Sequence, residues 1–133
     1  MSGSTVNQAT IFLVEEDDET RRPLVLNLRA DGYHVIVALD EEDALERVGG
    51  GHMPADMVLV NLVGKSTEEA LDIGRRVRAH AKYDGHTPLV VMAERYGEDL
   101  EGTDVNAGGN DWITYPEDAE QLRRLIDRLI EEA

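Results

Sequence analysis

Short apolar runs recur along the chain with amphipathic stretches between them: residues 11–14, 35–38, 57–60 and 89–92, and a weaker run at 112–114. The runs are too short for helices, rich in β-branched residues and without polar alternation, so they predict buried strands of a parallel sheet covered on both faces. The stretches between them carry helical spacing, clearest near the end, where Leu122, Leu125, Ile126, Leu129 and Ile130 form a single stripe. Leu24, Val25 and Leu28 predict a helix over about residues 19–31, with Pro23 tolerated in its first turn and Gly32 as its stop. Asp40 is placed to cap a short helix carrying Ala44, Leu45 and Val48 and ending at Gly49. Ser66 with Glu69 three residues on reads as a capping box for a longer helix.

The stretch 95–107 breaks the pattern. Gly97 and Gly102 interrupt it and its apolar positions are few, Leu100, Val105 and Ala107, so the helix expected there should be short, irregular or mobile. Alternating strands and helices joined by right-handed crossovers predict an α/β, doubly wound (βα)₅ fold with helices on both faces of the sheet.

A chain of 133 residues has room for one core. Its 13 Lys and Arg against 28 Asp and Glu leave a net charge of −15, which argues against a direct grip on nucleic acid or on anionic membrane. The hydrophobic fraction of 41% supports a packed core, so the acidity belongs to faces around apolar segments rather than to disorder. The absence of Cys excludes disulfides, thiol catalysis and thiolate metal sites, and fits a reducing, cytoplasmic setting. No run approaches the ~18 apolar residues of a membrane span. His34, His52, His80 and His86 show no metal-ligand spacing.

In a sheet of this type, chemistry gathers at the carboxyl ends of the strands. The residues there are Glu15-Glu16, Asn61, Met92-Ala93 and Tyr115-Pro116. The stretch Gly109-Asn110-Asp111-Trp112-Ile113-Thr114-Tyr115-Pro116 follows a G-x-N-D-aromatic-I-T-K-P pattern except at Tyr115, and it is joined by the acidic loop Glu15-Glu16-Asp17-Asp18 and by Pro88-Leu89-Val90-Val91-Met92-Ala93. On these residues the chain resembles the receiver domain of two-component response regulators over nearly its whole length. The resemblance implies a flavodoxin-like sheet of order 2-1-3-4-5, a flexible segment at 1–9, a single receiver-like domain at 10–133 and no output domain.

The resemblance further implies a phosphoryl acceptor Asp after the third strand, a carboxylate pair after the first that helps hold Mg²⁺, a Lys after the fifth and a Thr or Ser after the fourth. This sequence departs from three of them and keeps the pair only in altered form. Asn61 stands at the acceptor position, and a neutral amide does not form a stable acyl phosphate. Met92 replaces the hydroxyl, Tyr115 replaces the Lys, and the pair is Glu15 and Glu16, a weak or absent Mg²⁺ site. Loss of the Asp together with the Lys is coherent, because a third clustered carboxylate without its cation would be pushed toward its neutral form. No other cofactor is expected. Met92 also removes the hydroxyl that the family couples to an aromatic on the fifth strand, here Trp112.

The expectation is therefore a non-enzymatic, degenerate receiver, independent of phosphorylation, that works by protein–protein contact or homodimerisation over the fourth helix, fifth strand and fifth helix, including Arg95, Leu100, Trp112 and Tyr115. The rival is a working receiver with a noncanonical acceptor, Ser66 or Thr67, or with residual Mg²⁺ binding. A cap explains Ser66 better. A flavin or nucleotide binder is disfavoured by the lack of a Gly-rich loop beside five consecutive acids, residues 15–19. Arg75, Arg76, Arg78 and Lys82 form a basic patch that reads as a solvated face paired with nearby acids.

Overall fold

The first apolar run needs cover on both faces, and a computed structural model of the chain, describing residues 9–61, 64–93 and 96–132, shows what supplies it. Residues 1–8 of the expected flexible segment lie outside the described residues. The chain order is β1 (Thr10–Glu15), α1 (Asp18–Ala30), β2 (His34–Ala38), α2 (Glu41–Val48), β3 (Met57–Asn61), α3 (Thr67–His80), β4 (Leu89–Met92), β5 (Thr103–Gly108), β6 (Asp111–Tyr115) and α4 (Ala119–Glu132). The sheet runs β2-β1-β3-β4-β6-β5, parallel except for the antiparallel β5–β6 pair.

Strand alternation divides the core in two. Ile11, Leu13, Met57, Leu59 and Val90 pack with α1 and α4 through Leu24, Leu28, Leu125 and Leu129. Phe12, Val14, Val58, Val60 and Val91 pack with α2 and α3 through Val48, Leu71, Ile73 and Val77. Each large side chain so buried contributes roughly 1.5–3 kcal/mol relative to exposure. On α3, Gly74 lets the helix approach β4 closely, since a Cβ there would lie 2.3 Å from Leu89 Cδ1.

The expected caps form. Asp40 accepts from Asp43 N–H, and Ser66 and Glu69 make the reciprocal capping box. Asp17 caps α1, which begins early enough that Pro23 falls in the second turn rather than the first. The helix thus lacks the N–H that would reach back to Glu19.

One expected element is replaced. No helix lies between β4 and β6 among the described residues; 98–102 are turns, and Thr103–Gly108 forms a strand that makes the sheet six-stranded. Val105 and Ala107 are two apart, the period of a strand, and they lead into Gly108-Gly109, whose φ values of 118° and 54° let the chain reverse. Asn106 braces that reversal, accepting from Gly108 N–H at 3.0 Å and donating to Gly109 C=O at 3.1 Å.

Candidate functional site

Four strand ends meet in one row. Glu15 of β1 pairs in register with Asn61 of β3, and Met92 of β4 pairs with Thr114 of β6. The β3–β4 register, continued one residue past Val60 and Val91, sets Met92 next to Asn61. Alternation sends these side chains toward the α1–α4 side, where Met92 packs into the core.

Glu15 is fully buried, and its Oε1 accepts a 2.6 Å hydrogen bond from Asn61 Nδ2. A carboxylate only accepts, so it orients the Asn61 amide with its N–H toward Glu15. Glu15 Oε2 accepts the Asp17 N–H at 3.3 Å. Burial raises the Glu15 carboxyl above its ordinary value, against the lowering effect of the hydrogen bonds from Asp17 N–H and Asn61. Asp17 is shifted the other way, held down by Thr20 Oγ1 at 2.6 Å and by the Glu19 N–H. Arg21 bridges Glu15 C=O and the Asp18 carboxylate.

Mg²⁺ needs several oxygen donors in near-octahedral array, usually carboxylates with water. The residues present do not fit that set. Both Glu15 oxygens face protein donors, Asn61 presents its N–H, Asp17 is engaged as a helix cap, and Glu16 is exposed. Among the described residues no three acidic or His side chains gather to hold a metal.

The other expected site residues scatter. Tyr115 faces the α2–α3 side and meets Tyr96 edge to face at 5.4 Å, on the opposite face from the Glu15–Asn61 pair. Trp112 lies on the α1–α4 side with the Arg128 guanidinium 5.2 Å from its ring centre, and its buried Nε1 has no hydrogen-bond partner among the described residues. Leu100 is half-buried in the turn before β5, and Arg95 lies outside the described residues. Ser66 Oγ accepts from Glu69 N–H, the cap that the sequence favoured. In the basic patch, Arg75 and Arg78 both reach buried Asp111, at 2.8 and 2.6 Å, and Arg76 grips Glu41 at 2.5 and 3.1 Å.

Sequence reasoning missed a buried amide. Gln121 of α4 donates to Asp104 Oδ1 at 3.0 Å, and its Nε2 also approaches the carbonyls of Thr103 and Tyr115; fully buried Thr114 donates to the same Asp104 oxygen at 2.7 Å. This clamp ties β5, β6 and α4 together beyond the strand end. Its sequence signal was Asp118-x-x-Gln121, a capping pattern whose Asp118 accepts the Gln121 N–H at 2.9 Å.

No family model matches the chain. Among curated proteins it is 30% identical over 116 residues to the uncharacterized transcriptional regulatory protein YkoG of Bacillus subtilis, covering 87% of this chain and 48% of that one. It is 27% identical over 122 residues to the two-component response regulator PhoP of Pseudomonas aeruginosa, covering 90% and 51%. A solved response regulator from Thermotoga maritima superposes with a TM-score of 0.66 at 26% identity over 93% of this chain and 98% of that chain. The chain has the receiver fold of response regulators and is similar to such regulators in sequence over about nine-tenths of its length. The chain spans about half the length of the two regulators just described. Its parallel strands keep the expected 2-1-3-4 order, and the antiparallel β5 is an addition at the far edge. No helix among the described residues is long and apolar enough to cross a membrane.

Proposed function

We propose that this receiver domain signals without phosphorylation, through contact with a partner protein. The observation that carries the reading is the 2.6 Å Asn61–Glu15 hydrogen bond. Where the chemistry of a receiver needs a free carboxylate, a neutral amide is committed as a donor. Met92 offers no hydroxyl, and Tyr115, turned toward Tyr96, offers no cation to stabilise charge on a transferring phosphoryl group. The contact surface we assign is the end of the sheet built by β5, β6 and α4, carrying Leu100, Trp112 and Tyr115.

Incubation with acetyl phosphate and Mg²⁺, followed by intact-mass measurement, is expected to leave the mass unchanged. A stable, stoichiometric gain of one acid-labile phosphoryl group would overturn the reading. Asn61→Asp should also stay unlabelled, because no cation stands ready, and the new carboxyl should bind its proton more tightly beside Glu15. Rapid labelling of that variant would show that the lost partners are dispensable.

A further inference from the structure

Among the described residues three large apolar side chains are strongly exposed, and two of them are neighbours. Leu26 on α1 is 66% exposed and Leu39, just past β2, is 51% exposed; both line one groove of about 520 Å³ beside the sheet's β2 edge. Single exposed leucines need no explanation, but a shared apolar groove with a polar rim is the usual mark of a binding surface. The rim here is entirely cationic: Arg21, Arg22 and Arg29 from α1 and Arg47 from α2. Four of the 13 cations of a chain with net charge −15 thus surround one apolar groove.

The arrangement follows from helical spacing. Arg22, Val25, Leu26 and Arg29 stand at i, i+3, i+4 and i+7, one stripe of α1 with an arginine at each end and apolar residues between. Arg21 is paired with Asp18, and Arg47 with Asp43 at 3.4 Å. Arg22 and Arg29 are exposed and pair with no acid among the described residues.

We infer that this groove docks an acidic amphipathic segment of a partner protein, about two helical turns long, with apolar anchors over Leu26 and Leu39 and carboxylates facing Arg22, Arg29 and Arg47. The apolar floor and cationic rim are complementary to that chemistry, and charge of this kind selects partners as well as attracting them. A symmetric contact with a second copy would set these arginines against themselves. An anionic membrane would gain four guanidinium contacts while meeting the acidity of the whole domain. Arg21 joins the groove's rim to the Glu15 carbonyl, but neither Glu15 nor Asn61 lines the groove, so the proposal and the phosphorylation reading can fail independently.

The test is fluorescence anisotropy with the full chain and a fluorescein-labelled helical peptide of Glu and Leu. Saturable binding is expected, weakened about tenfold or more by Arg22→Glu with Arg29→Glu, and likewise by Leu26→Glu. A Glu/Ser peptide of equal charge and a Lys/Leu peptide should not compete. Circular dichroism establishes that each variant is folded, and Arg22→Ala, a milder change, should weaken binding in the same direction. Four results would overturn the proposal: no saturable binding, equal competition by either control peptide, binding unaffected by the groove variants, or variant-sensitive binding to phosphatidylserine vesicles in place of the peptide. Concentration-dependent self-association abolished by Leu26→Glu would also overturn it, by assigning the groove to a second copy.

Discussion

Helices α1 and α3 both carry clustered arginines, and they use them in opposite ways. On α3, Arg75 and Arg78 close on Asp111 from β6, and Arg76 closes on Glu41 from α2. On α1, Arg22 and Arg29 reach no acid among the described residues, and they frame an apolar groove. Density of cations along a segment therefore says little about which ones are available. What decides is where distant carboxylates arrive, and Asp111 is 36 residues from Arg75.

The contrast breaks most visibly at Asp111, which is buried and serves two guanidinium groups. Asp111→Ala should destabilise by about 3 kcal/mol, read as a lower urea midpoint, because it strips the shared anion from both. A loss no larger than that of a surface change would mean the α3 arginines are as free as those of α1.

Packing on the α3 flank provides the next test. Gly74→Ala puts a methyl into Leu89 and should cost about 1–3 kcal/mol, while Leu89→Ala in the same chain should recover part of the Gly74→Ala defect. If α3 rides away from the sheet at no cost, Gly74→Ala will unfold at the wild-type midpoint.

Acid titration of stability separates the carboxyls of Glu41 and Glu15 by sign. Arg76 holds the Glu41 carboxyl below its ordinary value, so the native state keeps this group charged where the unfolded chain would protonate it. Its stabilisation is present above the ordinary Glu value and is lost as pH falls through the lowered one. Arg76→Gln should flatten that part of the acid limb, and Arg22→Gln should leave it unchanged. Glu15, raised by burial, works the other way: its share of stability declines as pH rises from the ordinary value through the raised one, and Glu15→Gln should remove that opposing slope.

The smallest effects belong to α1 itself. Arg22→Ala and Leu26→Ala should shift stability by no more than about 0.5 kcal/mol in thermal unfolding, because both side chains face solvent. A larger loss would show that the groove is part of the core's support.

Strands and caps were legible because their causes are local. Short β-branched runs form strands, Asp40 and Ser66 cap the helices that follow them, and strand ends locate Glu15, Asn61 and Met92. The stretch 103–108 was misread because its glycines were weighed as breaks in a helix, whereas Val105 and Ala107 keep strand period into a Gly-Gly reversal. Alternation along β6 already sets Tyr115 opposite to Trp112 and Thr114; its partner Tyr96, from a separate loop, is a tertiary fact. The neutralised patch on α3 was readable as a paired face, but the open arginines of α1 emerge only once the acids of other elements have found their places.

The hairpin at the end of the sheet bears on how copies of the chain behave when crowded. By pairing with β6, β5 uses up the outward backbone groups of a parallel strand and substitutes its own edge, six residues long and interrupted by a register shift between Asn106 and Gly108. A short, bulged edge is a poor template for another chain's strand. Fibril-like stacking consequently has no good starting point at this end, and a concentrated solution of the domain is protected there by backbone geometry as well as by its charge.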